Sequence, residues 1–231
     1  MDKVGNLAYN LGSCFYKRKE VFKLSEEITL RTVQHVRDWE ELQRVGILRR
    51  NEVDFPGRFS VKGELLDLYL GKTQLAYAFM VNQMRKRIAG CSVQYPIWAW
   101  YKHLSLSNLT TSPIHSWLYK GEGISIEFKI SRDKVLLSDL QPWSKVLSND
   151  YIALDSEEYS EFKKREKKYK NDPVLGKEIE AEIVKSWERV FDLEAIETSD
   201  YHTYGGVYVQ ACVEEIRKEQ VVLVESLQPR F

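Results

Sequence analysis

The sequence predicts an α+β fold, a single domain with a mixed, mostly antiparallel sheet flanked by helices. Three observations carry that expectation. Ile124-Ser-Ile-Glu-Phe-Lys-Ile130 alternates apolar and polar residues, the period of a strand with one buried face. Ile179, Ile183, Trp187 and Val190 mark one apolar stripe along a helix over Glu178–Phe191. Strand-like and helix-like segments do not alternate regularly, which argues against a doubly wound parallel sheet.

Taken in order, residues 1–28 read as an N-terminal appendage and residues 29–231 as the α+β domain. Ile28–Gln34 is β-branched and half polar, the composition of a first strand. Asp38 is placed to cap a helix carrying Trp39, Leu42 and Val45, with Gly46 as its stop and Ile47-Leu48 leading out. Phe55-Pro-Gly57 marks a loop. Glu64–Ala89 is helical, with a bend expected at Gly71 and one face made of Tyr77, Met80, Val81, Met84 and Ile88. Arg85, Lys86 and Arg87 near its C-terminal end suit the helix dipole.

Ile97–Tyr101 is aromatic and strand-like, and Val135–Leu137 is a short strand ended by Ser138-Asp139. Pro142-Trp143 opens a helical turn through Leu147. Ser156 is placed to cap a charged helix, Glu157–Lys170, which Asn171-Asp-Pro173 breaks. Gln210–Gln220 is a polar segment running into the last strand, Val221–Val224.

Composition narrows the function classes. In 231 residues, 34 basic side chains balance 34 acidic ones, so the chain lacks the basic excess of a dedicated duplex-binding protein. Cys14, Cys91 and Cys212 stand far apart, with no CxxC pair, and the four histidines show no ligand spacing. Neither a metal site nor a disulfide framework is expected. The first residues lack an apolar h-region, and no run approaches the ~20 apolar residues of a membrane span. The expectation is a cytoplasmic protein without a membrane partner.

Four groups bear on chemistry. Strand alternation sets Trp98 and Trp100 on one face and Tyr101 on the other, as a stacking wall for a base or nicotinamide or as packing on both faces of a sheet. Arg31 offers a fork for phosphate oxygens and Gln34 a donor–acceptor pair for an amide; the alternative is a half-exposed strand with ordinary polar groups. Glu214, Glu215 and Glu219 bring carboxylates near the last strand; adjacent acids point apart, so one can face a cleft while another is solvated. Lys163-Lys-Arg-Glu-Lys-Lys168 is a solvated helix face or a docking surface. No phosphate-binding glycine loop and no nucleophile elbow is present.

Several motifs become recognisable together. They are Thr32-Val-Gln34 with Trp39 and Gly46, Tyr95-Pro-Ile-Trp-Ala-Trp-Tyr101 and Val135-Leu-Leu-Ser-Asp139 with Trp143. Ser186-Trp-Glu-Arg-Val-Phe-Asp192 and Gln210 with Glu215 complete the set. From Leu30 to Leu227 the chain resembles a family of uncharacterised bacterial and phage proteins, of the domain-of-unknown-function class. More remotely, a strand, a helix and a glycine, with a late glutamate before the last strand, are similar to ADP-ribosyltransferase-type domains.

That second resemblance implies NAD as co-substrate and a protein or nucleic-acid acceptor, in phage–host conflict. It implies Arg31 or Gln34 as the first-strand residue holding NAD, where the superfamily often has histidine or arginine. Trp98 or Tyr101 would pack on the nicotinamide, and Glu215, ahead of Glu214, would stabilise the oxocarbenium-like state. Gln34, Tyr101 and Glu215 are then expected to line one cleft. The alternative is a non-catalytic protein-interaction domain whose aromatic strand is core and whose Lys163–Lys168 face docks a partner.

Overall fold

Glu27–His35 forms β1, with Ile28, Leu30, Thr32 and Gln34 turned to one side. The structure, a computed structural model, describes residues 26–50, 64–103 and 123–227, with residues 64–72 as backbone only. The expected N-terminal appendage and the Phe55-Pro-Gly57 loop lie outside the described residues. Helix α1 (Val36–Val45) starts two residues before the expected cap. His35 is the cap, its Nδ1 accepting the Arg37 N–H, while Asp38 reaches back to accept the His35 N–H at 3.1 Å. Asp38 thus closes a capping box from inside the first turn. Gly46 ends the helix in the left-handed region (φ 85°) and donates its N–H to the Leu42 carbonyl.

Among the described residues the remaining strands are β2 (Ile47–Arg49), β3 (Ile97–Lys102), β4 (Gly123–Ser131), β5 (Leu136–Asp139), β6 (Val209–Val213), β7 (Glu215–Arg217) and β8 (Val221–Ser226). Five of them join β1 in one six-stranded sheet in the order β5-β6-β3-β1-β4-β8, and β2 pairs with β7 in a second, small sheet. Every strand pair is antiparallel. All five strands expected from the sequence are strands.

The large sheet curls. β4 and β5 stand four places apart in it, about 19 Å on a flat sheet. Yet only residues 132–135, three of them in a tight 3-10 turn, connect the two strands. The inner face closes over Leu30, Ile97, Phe128, Ile130, Val135, Leu137 and Ala211, with Leu42 of α1 and Leu48 and Ile216 of the small sheet as a lid. Burial of this size of apolar surface is the main term favouring the fold.

Helices cover part of the outer face. They are α2 (Glu64–Arg87), α3 (Leu140–Leu147), α4 (Ser156–Tyr169), α5 (Leu175–Ser186) and α6 (Leu193–Glu197). Helix α2 continues through Gly71 as one element and buries Met80, Met84 and Ile88 as its spacing predicts. Asp139 caps α3 by accepting the Gln141 N–H, and Pro142 sits in the first turn, where a missing N–H costs little. Asp155, rather than Ser156, caps α4 through the Glu158 N–H at 2.7 Å. The expected helix over Glu178–Phe191 begins at Leu175 and tightens to a 3-10 turn at Trp187–Phe191. There Ser186 donates to the Ile183 carbonyl and accepts the Ile152 N–H, so its hydroxyl ties the turn to the preceding loop.

Candidate functional site

The outer face of the large sheet divides into two lateral rows, because residues paired across antiparallel strands share a face. In one row Leu136, Cys212 and Trp98 lie side by side under the helices. Trp98 meets Tyr77 edge-on at 5.9 Å and Trp143 at 5.2 Å, so its ring is already in contact with two others.

The second row crosses five strands. Its pairs are Ser138 with Gln210, Gln210 with Trp100, Trp100 with Arg31, and Arg31 with Glu127. Burial falls along it. Ser138 and Gln210 are buried, and Gln210 Nε2 donates to Ser138 Oγ at 3.2 Å. Trp100 is half-buried and meets His103 at 4.7 Å, which in turn meets Tyr208 at 5.0 Å. Burial lowers the His103 pKa, so at neutral pH this ring is an uncharged stacking partner. At the open end the Arg31 guanidinium donates to Glu127 at 2.7 Å and to Glu225 at 3.3 Å, and the side chains are 11%, 30% and 42% exposed in that order. The row therefore offers an amide, an aromatic face and a fixed guanidinium–carboxylate pair within neighbouring strands.

The residues named from sequence are distributed over three places. Arg31 and Trp98 share the outer face, although the row neighbour of Arg31 is Trp100. Gln34 lies on the inner face, 2% exposed, donating to Thr32 Oγ1 at 2.6 Å and accepting from Arg50. Tyr101 also turns inward, against the inner core, beside the middle of β1 rather than the Gln34 end. Glu215 belongs to the small sheet, where its carboxylate takes Arg49 Nε at 2.9 Å and Arg217 Nε at 2.6 Å. Burial would raise its pKa, but the two guanidinium groups outweigh that and hold it below the usual carboxylate range.

The structure does not bring Gln34, Tyr101 and Glu215 into one cleft. Arg49 and Arg50 are successive residues that reach to opposite sides of the chain, Arg49 to Glu215 and Arg50 to Gln34 and Asp38. That alternation separates the first-strand glutamine from the late glutamate. Gln210 and Glu127 are the outer-face neighbours that sequence reasoning passed over as site residues, whereas Trp100 entered it only as part of the aromatic wall with Trp98. One signal existed for Gln210: a lone amide within Val-Gln-Ala-Cys-Val, a run otherwise fit for burial.

The class defined by these observations is a curled antiparallel α+β domain with a polar and aromatic row on its outer face. The model of the family described as "Domain of unknown function (DUF3841)" matches residues 29–222, and the chain belongs to that family. No curated protein and no solved structure matches the chain. Among the described residues, no helix is long and apolar enough to cross a membrane, and no cluster of His, Cys, Asp and Glu side chains is suited to a metal ion.

Proposed function

We propose that the domain is an ADP-ribosyltransferase-like enzyme that binds NAD along the row of Arg31, Trp100 and Gln210 and modifies a protein or nucleic-acid acceptor. The observation that carries this reading is the register. A first-strand arginine, a central-strand aromatic and a side chain of the late strand β6 stand next to one another on one face. The first two are the element types that the remote resemblance assigns to NAD binding, with Trp100 in place of Trp98 or Tyr101; the charge-stabilising role expected of Glu215 passes to Glu127 of β4, and Gln210 adds an uncharged amide beside the aromatic face.

The chemistry follows from the groups. An indole face suits a nicotinamide or adenine ring. The Gln210 amide pairs donor to acceptor with a carboxamide. Transfer breaks the bond between nicotinamide nitrogen and the ribose C1′ and forms one from C1′ to the acceptor nucleophile, with nicotinamide leaving neutral and the acceptor's proton passing to solvent or a base. Positive charge that develops on the sugar is favoured by a fixed carboxylate. Glu127, held by Arg31, is the nearest candidate in the row.

Labelled NAD incubated with the protein and a cell extract tests the reading. Nicotinamide release or label transfer is expected, reduced on the order of 10²–10³-fold in Glu127→Gln. Release that is absent in the parent, or unchanged in the variant, counts against the reading or the role, respectively.

A non-catalytic interaction domain is the second reading. It is favoured by the occupied state of the groups: Gln210 is an amide rather than a carboxylate, and Arg31 already faces two carboxylates.

A further inference from the structure

A cavity of about 380 Å³ lies between the small sheet and the C-terminal end of α2. Its lining includes Arg49, Lys134, Glu214, Glu215, Arg217 and Gln220. The small sheet turns Leu48 and Ile216 into the inner core, and the alternation presents Arg49, Glu215 and Arg217 to the cavity.

Two guanidinium groups therefore converge on one carboxylate. Arg49 uses Nε and Nη2 on Glu215, and Arg217 uses Nε. Among the described residues, Arg49 Nη1 and both terminal nitrogens of Arg217 make no hydrogen bond. Lys134 Nζ has one acceptor, the Ala89 carbonyl at 3.3 Å. Glu214 is engaged by the Ser92 N–H at 3.1 Å and hydroxyl at 2.8 Å. Three cations stand against two carboxylates, so the cavity keeps one positive charge and a surplus of donors.

Side-by-side guanidinium groups repel unless an anion lies between them, and Glu215 neutralises only one of the two. A second oxyanion completes the arrangement, and forked N–H pairs match phosphate oxygens. We infer that this cavity binds a small phosphorylated molecule, its phosphate held by Arg49, Arg217 and Lys134. The cavity volume falls in the range of small-ligand sites, about 300–1,000 Å³, and exceeds the needs of a bare phosphate. The site is separate from the Arg31–Trp100–Gln210 row and stands whether or not NAD binds there.

Titration calorimetry with inorganic phosphate and with ribose 5-phosphate, in chloride buffer of matched ionic strength, tests the inference. Saturable one-to-one binding is expected in the parent, tighter for the ester than for inorganic phosphate. Arg49→Gln and Arg217→Gln should each weaken it at least about tenfold, the scale of one charge-assisted contact. Lys168→Gln, at an exposed cation on α4, should not. Urea melts confirm that the variants fold, since neither arginine contributes to the inner core. No saturable binding in the parent overturns the inference, as does affinity unchanged in both arginine variants. Equal affinity for the two probes overturns the phosphate-ester assignment in favour of free phosphate.

Discussion

Trp187→Ala should cost about 4–6 kcal/mol of stability. Trp187 is fully buried in the outer core, its indole N–H donates to the Asp150 carbonyl at 2.9 Å, and Phe79 packs edge-on against it at 5.5 Å. Truncating a buried tryptophan costs about 3–5 kcal/mol from lost transfer energy and the cavity left behind. Leaving a buried carbonyl without its donor adds about 1–3 kcal/mol, part of which the first range already contains. Since domains of this size have on the order of 5–15 kcal/mol in total, the variant sits near the edge of folding.

Urea melts followed by circular dichroism read the loss directly. With a slope of about 2–3 kcal/mol per molar, the midpoint should fall by roughly 2 M, with the slope unchanged. Trp187→Phe separates the two contributions. It keeps most of the volume and loses the donor, so it should cost about 1–3 kcal/mol. A loss under about 1 kcal/mol in Trp187→Ala would refute the packing argument. Equal losses in the two variants would refute the separation into cavity and hydrogen bond.

Two further outcomes follow from local geometry. A Cβ at Gly205 would overlap the Ile196 carbonyl, so Gly205→Ala should cost about 1–3 kcal/mol in the same melts; an unchanged midpoint would show that the turn yields freely. Burial alone would raise the Asp150 pKa, but hydrogen bonds from Lys163, Lys145 and the Tyr151 N–H outweigh it, and the net shift is downward. A folded pKa below the unfolded value of about 3.9 stabilises the protein above that pH, and the contribution is lost as pH falls through the folded pKa. Acid melts between about pH 5 and 2 should therefore show a shallower loss in Asp150→Asn than in the parent, and identical acid limbs would contradict the assignment.

The legible parts of the fold are those with local periodicity. In β4 the sequence alternation alone assigns Ile124, Ile126, Phe128 and Ile130 to one face and Ser125, Glu127 and Lys129 to the other, as the pairing with β1 shows. The stripe through Ile179, Ile183 and Trp187 is legible for the same reason. Strand β6 is not, because all five of its residues are buried and a strand covered on both faces has no alternation to read. β2 and β7, at three residues each, are too short to show a period.

The candidate site divides along the same line. Arg31 was legible as a polar residue on a first strand, but its neighbour Trp100 depends on pairing between strands distant in sequence. Glu215 reads as an available carboxylate until Arg49, 166 positions away, is folded against it. Asp38 looks like a helix cap because the capping preference ranks Asp highly, whereas His35 takes that place and Asp38 supports it.

The most direct test of the central claim is an NAD titration of three proteins: the parent, Trp100→Leu and Glu215→Gln. Loss of one stacking face is worth about 1–3 kcal/mol, so Trp100→Leu should weaken binding by roughly 5- to 150-fold while Glu215→Gln leaves it unchanged. If the parent does not bind NAD, or if Glu215→Gln weakens binding and Trp100→Leu does not, the row is not the nucleotide site.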